Sequence, residues 1–308
     1  MNLGMALVAW LVFPGLLYAL PAGWLMSWVE RKTAARLQQR IGPPFFQPFF
    51  DFVKLTAKTA PARPGLEGVL MSFWPAAAVV GLLGALALLP VFPYAGGQVP
   101  GFAGDLILLV ALLELPSIGM VLAGFSSRSL FGEIGAVREA VLSVFYNLAF
   151  FIAMVALALD AHTLQLADLA VAPFSPGRAL ALLAILLCLP AKLHLNPFSL
   201  ANAEQEIYAG PLTEYGGPQL ALWELAHSLE WVALTGLLAS LGLPRSGSWA
   251  IDGLAFVMVS LLLVLLLAGI ATGTARLKIA QALRFYARWG VAVALAALLA
   301  AGFFPGGV

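Results

Sequence analysis

Residues 104–126 read GDLILLVALLELPSIGMVLAGFS. They hold two carboxylates, Asp105 at one end and Glu114 in the middle, and no basic residue. A bilayer is crossed by about 20 mostly apolar residues. A soluble amphipathic helix would need a charged stripe that this run lacks. The stretch reads as a membrane span with an acid at mid-depth, and Pro116, two residues on, removes a helical hydrogen bond beside it.

The rest of the chain repeats the pattern. Of its 308 residues 62% are hydrophobic and 10% charged, with a mean hydropathy of +0.96, too little charge for a water-covered surface. Eight runs qualify as spans: about 3–28, 69–92, 104–126, 139–159, 178–198, 218–242, 252–273 and 286–304. The segments between them are short and hold most of the Pro, Gly and charge. The expectation is an all-α integral membrane protein, a single transmembrane domain over 1–308. No basic residue precedes the first apolar run, so residues 3–28 read as a retained span rather than a signal peptide. A net charge of +1 argues against nucleic acid as a partner. Cys188, the sole cysteine, excludes an internal disulfide and a cysteine-held iron–sulfur or zinc site.

Lys and Arg set the orientation. Arg31, Lys32, Arg36, Arg40, Lys54, Lys58, Arg63, Arg128, Arg138, Arg276, Lys278, Arg284 and Arg288 fall on one side of the expected spans, and Arg178 and Arg245 on the other. Thirteen against two predicts both termini outside. The stretch at 202–217, NAEQEIYAGPLTEYGG, then lies inside.

Residues 45–60 are apolar but too short to span. Gln47, Asp51, Lys54 and Lys58 fall within a sector of about 60° on a helix, leaving Phe45, Phe46, Phe49, Phe50, Phe52, Val53 and Leu55 on the broad remaining face. Such a helix lies at the interface. It is either a simple surface anchor or the wall of a cavity, and the mixed charge signs of its polar stripe favour the wall.

Ionisable side chains inside a bilayer are costly and mark ion paths. Glu114 has no basic residue in its own span. Glu139 stands at the mouth of the fourth span, where Arg138 offers a structural pairing. Lys192 and His194 lie near the inner end of the fifth, between Pro190 and Pro197. Glu224, His227 and Glu230 succeed one another at three-residue steps on the sixth, within mutual reach. Glu204, Glu206 and Glu214 crowd the inner loop, with no Lys or Arg from 193 to 244. They read as a proton inlet feeding the buried acids, or as a docking patch for a basic partner. Gly210, Gly216 and Gly217 flank Glu214 with backbone freedom.

Three stretches carry a family resemblance. ERKTAARLQQRIGPPFFQPFFDFVKLTAK (30–58), SSRSLFGEIGAVREA (126–140) and NPFSLANAEQEIYAGPLTEYGG (196–217) resemble, in order, the inner segments of the membrane subunit shared by respiratory complex I and energy-converting, formate hydrogenlyase-like NiFe hydrogenases. The resemblance implies a subunit of a redox-driven ion pump in a prokaryotic-type inner (plasma) membrane. Such a subunit docks a peripheral redox arm to antiporter-like membrane subunits and opens a line of acidic residues. It implies ion-translocation roles for Glu204, Glu206 and Glu214, and by topology for Glu114, Glu139, Glu224, Glu230, Lys192 and His227. Arg31 and Arg40 match basic residues of the first loop, and Asp51, Lys54, Arg128 and Arg138 belong to the same partner-facing or cavity-lining side. RIGPPFFQPFFDFVKL and AEQEIYAGPLTEYGG lean toward the hydrogenase branch. There the NiFe and iron–sulfur centres sit in partner subunits and none in this chain. A complex I-like member would instead line a quinone chamber.

Overall fold

A chain surrounded by hydrocarbon has to satisfy its backbone N–H and C=O groups internally, and a helix does so within one segment. The computed structural model describes residues 16–59, 64–90, 101–244, 246 and 248–303, with every side chain among them except those of Glu204 and Trp249. In chain order the elements are α1 (Leu16–Leu37), the short α2 (Gln47–Ala57), α3 (Leu66–Leu88), α4 (Asp105–Ser126), α5 (Leu130–Asp160), α6 (Leu166–Val171), α7 (Pro176–Lys192), the single turn α8 (Glu204–Ile207), a 3-10 turn at Gly210–Leu212, α9 (Gly217–Gly242), α10 (Trp249–Gly273), α11 (Ile279–Phe285), a π-helical turn at Tyr286–Gly290 and α12 (Val291–Phe303). No strand occurs among the described residues.

Six helices among the described residues are long and apolar enough to cross a membrane: α3, α4, α5, α9, α10 and the continuous α11–α12 rod. The first expected span begins outside the described residues. The fifth is α7, whose 17 residues span roughly 26 Å at 1.5 Å per residue, a little under the bilayer core.

Three boundaries differ from the sequence reading. The fourth span starts at Leu130, not 139, so most of the segment 126–140 expected as a loop is the first part of a 31-residue helix. It holds no proline, and its glycines Gly132 and Gly135 lie where neighbouring backbone approaches too closely for a side chain. The fifth ends at Lys192 rather than 198, where the chain turns through residues 193–197. The last starts at Ile279 rather than 286 and passes through the π turn.

α9 organises the bundle. It touches α1, α2, α3, α7 and α10, and its residues from Leu225 to Leu241 are buried except for His227. That accounts for the absence of an apolar stripe in its sequence, since a helix apolar all round is one buried all round. α1 reaches it through Gly23, where any Cβ would lie 2.7 Å from the Ser228 carbonyl oxygen. On the other flank α5, α7 and α12 pack together. At the end of the bundle away from the acidic loop, Arg178 closes α9 by donating from Nε and Nη2 to the Leu241 carbonyl, a cation at a helix C-terminus. The buried polar groups lie between these two halves.

Candidate functional site

Lys192 is fully buried, and its ammonium lies against Glu114 of α4 in an ion pair. The neutralising cation missing from the span of Glu114 therefore comes from α7. The helix ends at this lysine, close to Pro190, and the side chain extends over the rings of Phe150 (4.7 Å) and Tyr146 (5.4 Å) of α5. The second oxygen of Glu114 accepts from Asn147 Nδ2, also on α5. Both carboxylate oxygens are thus held by donors, as a buried polar group requires.

Glu139 is fully buried as well. The Arg138–Glu139 pairing open to the sequence does not form. Successive residues on a helix point about 100° apart, so Arg138 turns out to Glu206 of α8 while Glu139 turns into the bundle. There Tyr146 Oη donates to Glu139 Oε1 at 2.8 Å and shares a 2.9 Å bond with Ser117 Oγ of α4. The far oxygen, Oε2, lies 3.4 Å from His194 Nδ1, at ion-pair distance but not aligned as a hydrogen bond. Glu230, 4% exposed on α9, is within electrostatic reach of His194, Lys192, Glu139 and Glu114. Five charged or chargeable groups from α4, α5, α7, α9 and the turn after α7 converge, although their numbers span 114 to 230.

The three-residue steps on α9 do not make a relay by themselves. Trp231 Nε1 donates to His227 Nε2 at 3.3 Å, which leaves that nitrogen without a proton. Glu224 faces away, 3.7 Å from Arg31 Nη2, and Arg31 also donates to Asp51 Oδ2 at 3.3 Å. Gln47 holds the other Asp51 oxygen at 2.7 Å. Arg31 and Glu224 stand between two cavities. One, of about 280 Å³, is lined by Glu30, His194, Asn202, Trp223 and His227. The other, of about 220 Å³, is lined by Trp24 of α1 and by Pro48, Asp51, Phe52, Lys54, Leu55 and Lys58 of α2. Helix α2 is therefore a cavity wall, and Phe52 and Leu55 face the cavity with the polar stripe. Its exposed aromatic edge is Phe45, Phe46, Phe49 and Phe50. Glu30 lies past the apolar part of α1, and burial pushes its carboxyl above the ordinary range against the pull of Arg31.

The acidic loop is less isolated than its sequence. Glu206 pairs with Arg138, Glu214 is exposed but has an interaction partner, and the Glu204 side chain lies outside the described residues. Gly210 sits at φ +54° with no room for a Cβ, which would lie 2.0 Å from the Ala201 carbonyl oxygen. The glycine closes a tight turn against α5 and is not free to pivot in this conformation. Arg128 pairs with Glu67 at 2.7 Å, and Arg40 is exposed on the loop after α1.

Sequence reasoning passes over Asn147, Tyr146 and Ser117, which connect the charged groups. Asn147, the one amide in an otherwise apolar run, is the signal that could have found them. Among the described residues no three of His, Cys, Asp and Glu converge closely enough to hold a metal ion.

The family described as NADH dehydrogenase matches residues 9–302. Hydrogenase-4 component C of Escherichia coli (strain K12) is 32% identical over 265 residues, 81% of this chain and 82% of that protein. A membrane-complex relative from Syntrophobacter fumaroxidans (strain DSM 10017 / MPOB), a component of its NADH-quinone oxidoreductase, is 31% identical over 241 residues, 73% of this chain and 72% of that protein. A chain in the structure of the membrane-bound sulfane sulfur reductase, an archaeal respiratory membrane complex, superposes with a TM-score of 0.86 at 26% identity, over 97% of this chain and 99% of that one.

Proposed function

The chain belongs to the NADH dehydrogenase family, and on that premise we propose that it is the membrane subunit of a redox-driven ion pump of the hydrogenase type. In this reading it docks a peripheral arm carrying NiFe and iron–sulfur centres and adjoins antiporter-like membrane subunits. It passes the energy of electron transfer to ion movement through its buried charged line. The family relatives support a subunit of a larger respiratory membrane complex. Identities of 32% and 31% are too close to separate the branches, so the hydrogenase assignment rests on the RIGPPFFQPFFDFVKL and AEQEIYAGPLTEYGG patterns and the longer match to the hydrogenase-4 component. The distribution of Lys and Arg supports both termini outside, in a prokaryotic plasma membrane.

The observation that carries the translocation role is the fully buried Lys192 against Glu114, with Glu139, His194 and Glu230 within electrostatic reach. A pair of this kind has two charge arrangements, closed on itself or opened toward a neighbour. A partner that changes charge at the cavity end biases which one holds. Glu224, His227 and Glu30 at the 280 Å³ cavity form the end that faces such events, and Glu114 with Asn147 the far end. Protons fit the Glu, His and Tyr groups of the line directly, with sodium the alternative cargo.

The test is Glu114→Gln in the assembled complex, in inverted vesicles. Gln keeps the volume but carries no ionisable proton. Ion movement per electron is expected to fall while the complex still assembles. Wild-type pumping per electron would overturn the role. A second reading, a quinone-chamber subunit, is favoured by the two cavities beside α1, α2 and α9. Solvent extraction of the purified complex distinguishes it by a bound quinone.

A further inference from the structure

After Asp252 the chain contains no acidic residue, yet it carries Arg276, Lys278, Arg284 and Arg288. Among the described residues none of the four is paired with a carboxylate. Arg276 is partly buried and donates to Ser199 Oγ at 3.1 Å. Lys278, Arg284 and Arg288 are exposed, and so is Trp289 beside them. The charged line does not use them, and they stand at the membrane-interface end of the α11–α12 rod.

We propose that Arg284 and Arg288, with Lys278 and Trp289, bind the headgroup of an anionic phospholipid whose acyl chain lies along the exposed face of α12. Arg284 Nε is tied to the Ala280 carbonyl of its own helix at 3.0 Å, which fixes the guanidinium and leaves its terminal amines for a phosphate. In a regular helix residues four apart lie about 40° apart around the axis. The wider π turn at Tyr286–Gly290 brings Arg284 and Arg288 closer to alignment, one above the other. It also turns Tyr286 inward, where its hydroxyl donates to the Leu187 carbonyl at 3.0 Å. The π turn thus separates a buried anchor from an exposed cationic pair.

Below the cations the same side of the rod continues as Ala292, Leu295 and Leu299, at steps of four, seven and eleven residues from Arg288. All three are exposed, and so is Ala296. The two alanines leave a shallow track edged by the two leucines. It runs about ten residues, roughly 15 Å at 1.5 Å per residue, half the bilayer core and the depth of one leaflet. Trp289 sits at headgroup level, where aromatic belts form. An acidic protein would satisfy the cations but not the apolar track beneath them. A lipid satisfies both, and each basic residue near an anionic leaflet adds to the attraction.

The proposal does not depend on which redox arm docks. The intact complex is reconstituted in phosphatidylcholine nanodiscs containing a few per cent of phosphatidylglycerol with a photoactivatable acyl chain. Crosslinks are expected in the 291–300 peptide. Arg284→Gln with Arg288→Gln should reduce them at least fivefold, and Arg284→Lys with Arg288→Lys should retain most of them. A phosphatidylcholine probe should label weakly and without response to either change. Equal labelling by the two lipids, labelling unaffected by the Gln pair, or crosslinks only to a neighbouring subunit covering this face would each overturn the assignment.

Discussion

Replacing Lys192 by Met takes the ammonium away from Glu114 and leaves an unbranched side chain that can still pack over the Phe150 and Tyr146 rings. Volume is nearly conserved, so the change isolates charge. Removing one partner of a buried ion pair costs roughly 3–5 kcal/mol. Two features place this case near the lower end. Asn147 still donates to Glu114, and Glu114 can take up a proton once its counter-ion is gone. About 3 kcal/mol is more than a hundredfold in the folding equilibrium. The assay is equilibrium unfolding of the purified subunit in mixed micelles, with Glu114→Gln and the Lys192→Met/Glu114→Gln double variant measured alongside. If the penalty belongs to an orphaned buried carboxylate, the double variant recovers most of the loss, because neither charge is left uncompensated. Wild-type stability for Lys192→Met, or a double variant no more stable than that single one, would refute the reasoning.

Gly210→Ala forces a side chain into a left-handed position already occupied by the Ala201 carbonyl. The conformational penalty and overpacking together come to roughly 2–4 kcal/mol, concentrated in the acidic loop. Limited proteolysis should cut residues 202–217 faster, with no carboxylate altered, and an unchanged cleavage rate would show that the turn is not held by this contact. Glu206→Gln removes the exposed pair with Arg138, whose side chains are 57% and 27% exposed, so its contribution is under about 1 kcal/mol. Unfolding midpoints should match wild type within error. A loss above about 2 kcal/mol would mean that the pair is shielded from solvent in a way the geometry does not suggest.

The sequence by itself determined the class, most of the spans and the amphipathic α2, because each follows from the apolar content and period of one continuous segment. The polar stripe of Gln47, Asp51, Lys54 and Lys58 appears in the cavity wall as its spacing required. The long Pro-free stretch before residue 139 reads as a loop only when charge, not helix length, is used to end the span. The sequence also singled out Glu114, Glu139, Lys192 and Glu230 as costly in hydrocarbon, but could not say which of them meet. Glu114 and Lys192 are separated by 78 positions, and Glu139 turns away from adjacent Arg138 toward His194, 55 positions on. Coulomb and hydrogen-bond energies fall with distance through space, and nothing in the order of residues along the chain encodes that distance. Only the packing of α4, α5, α7 and α9 brings these groups together, and it alone left Arg284 and Arg288 facing outward with no acid to meet them.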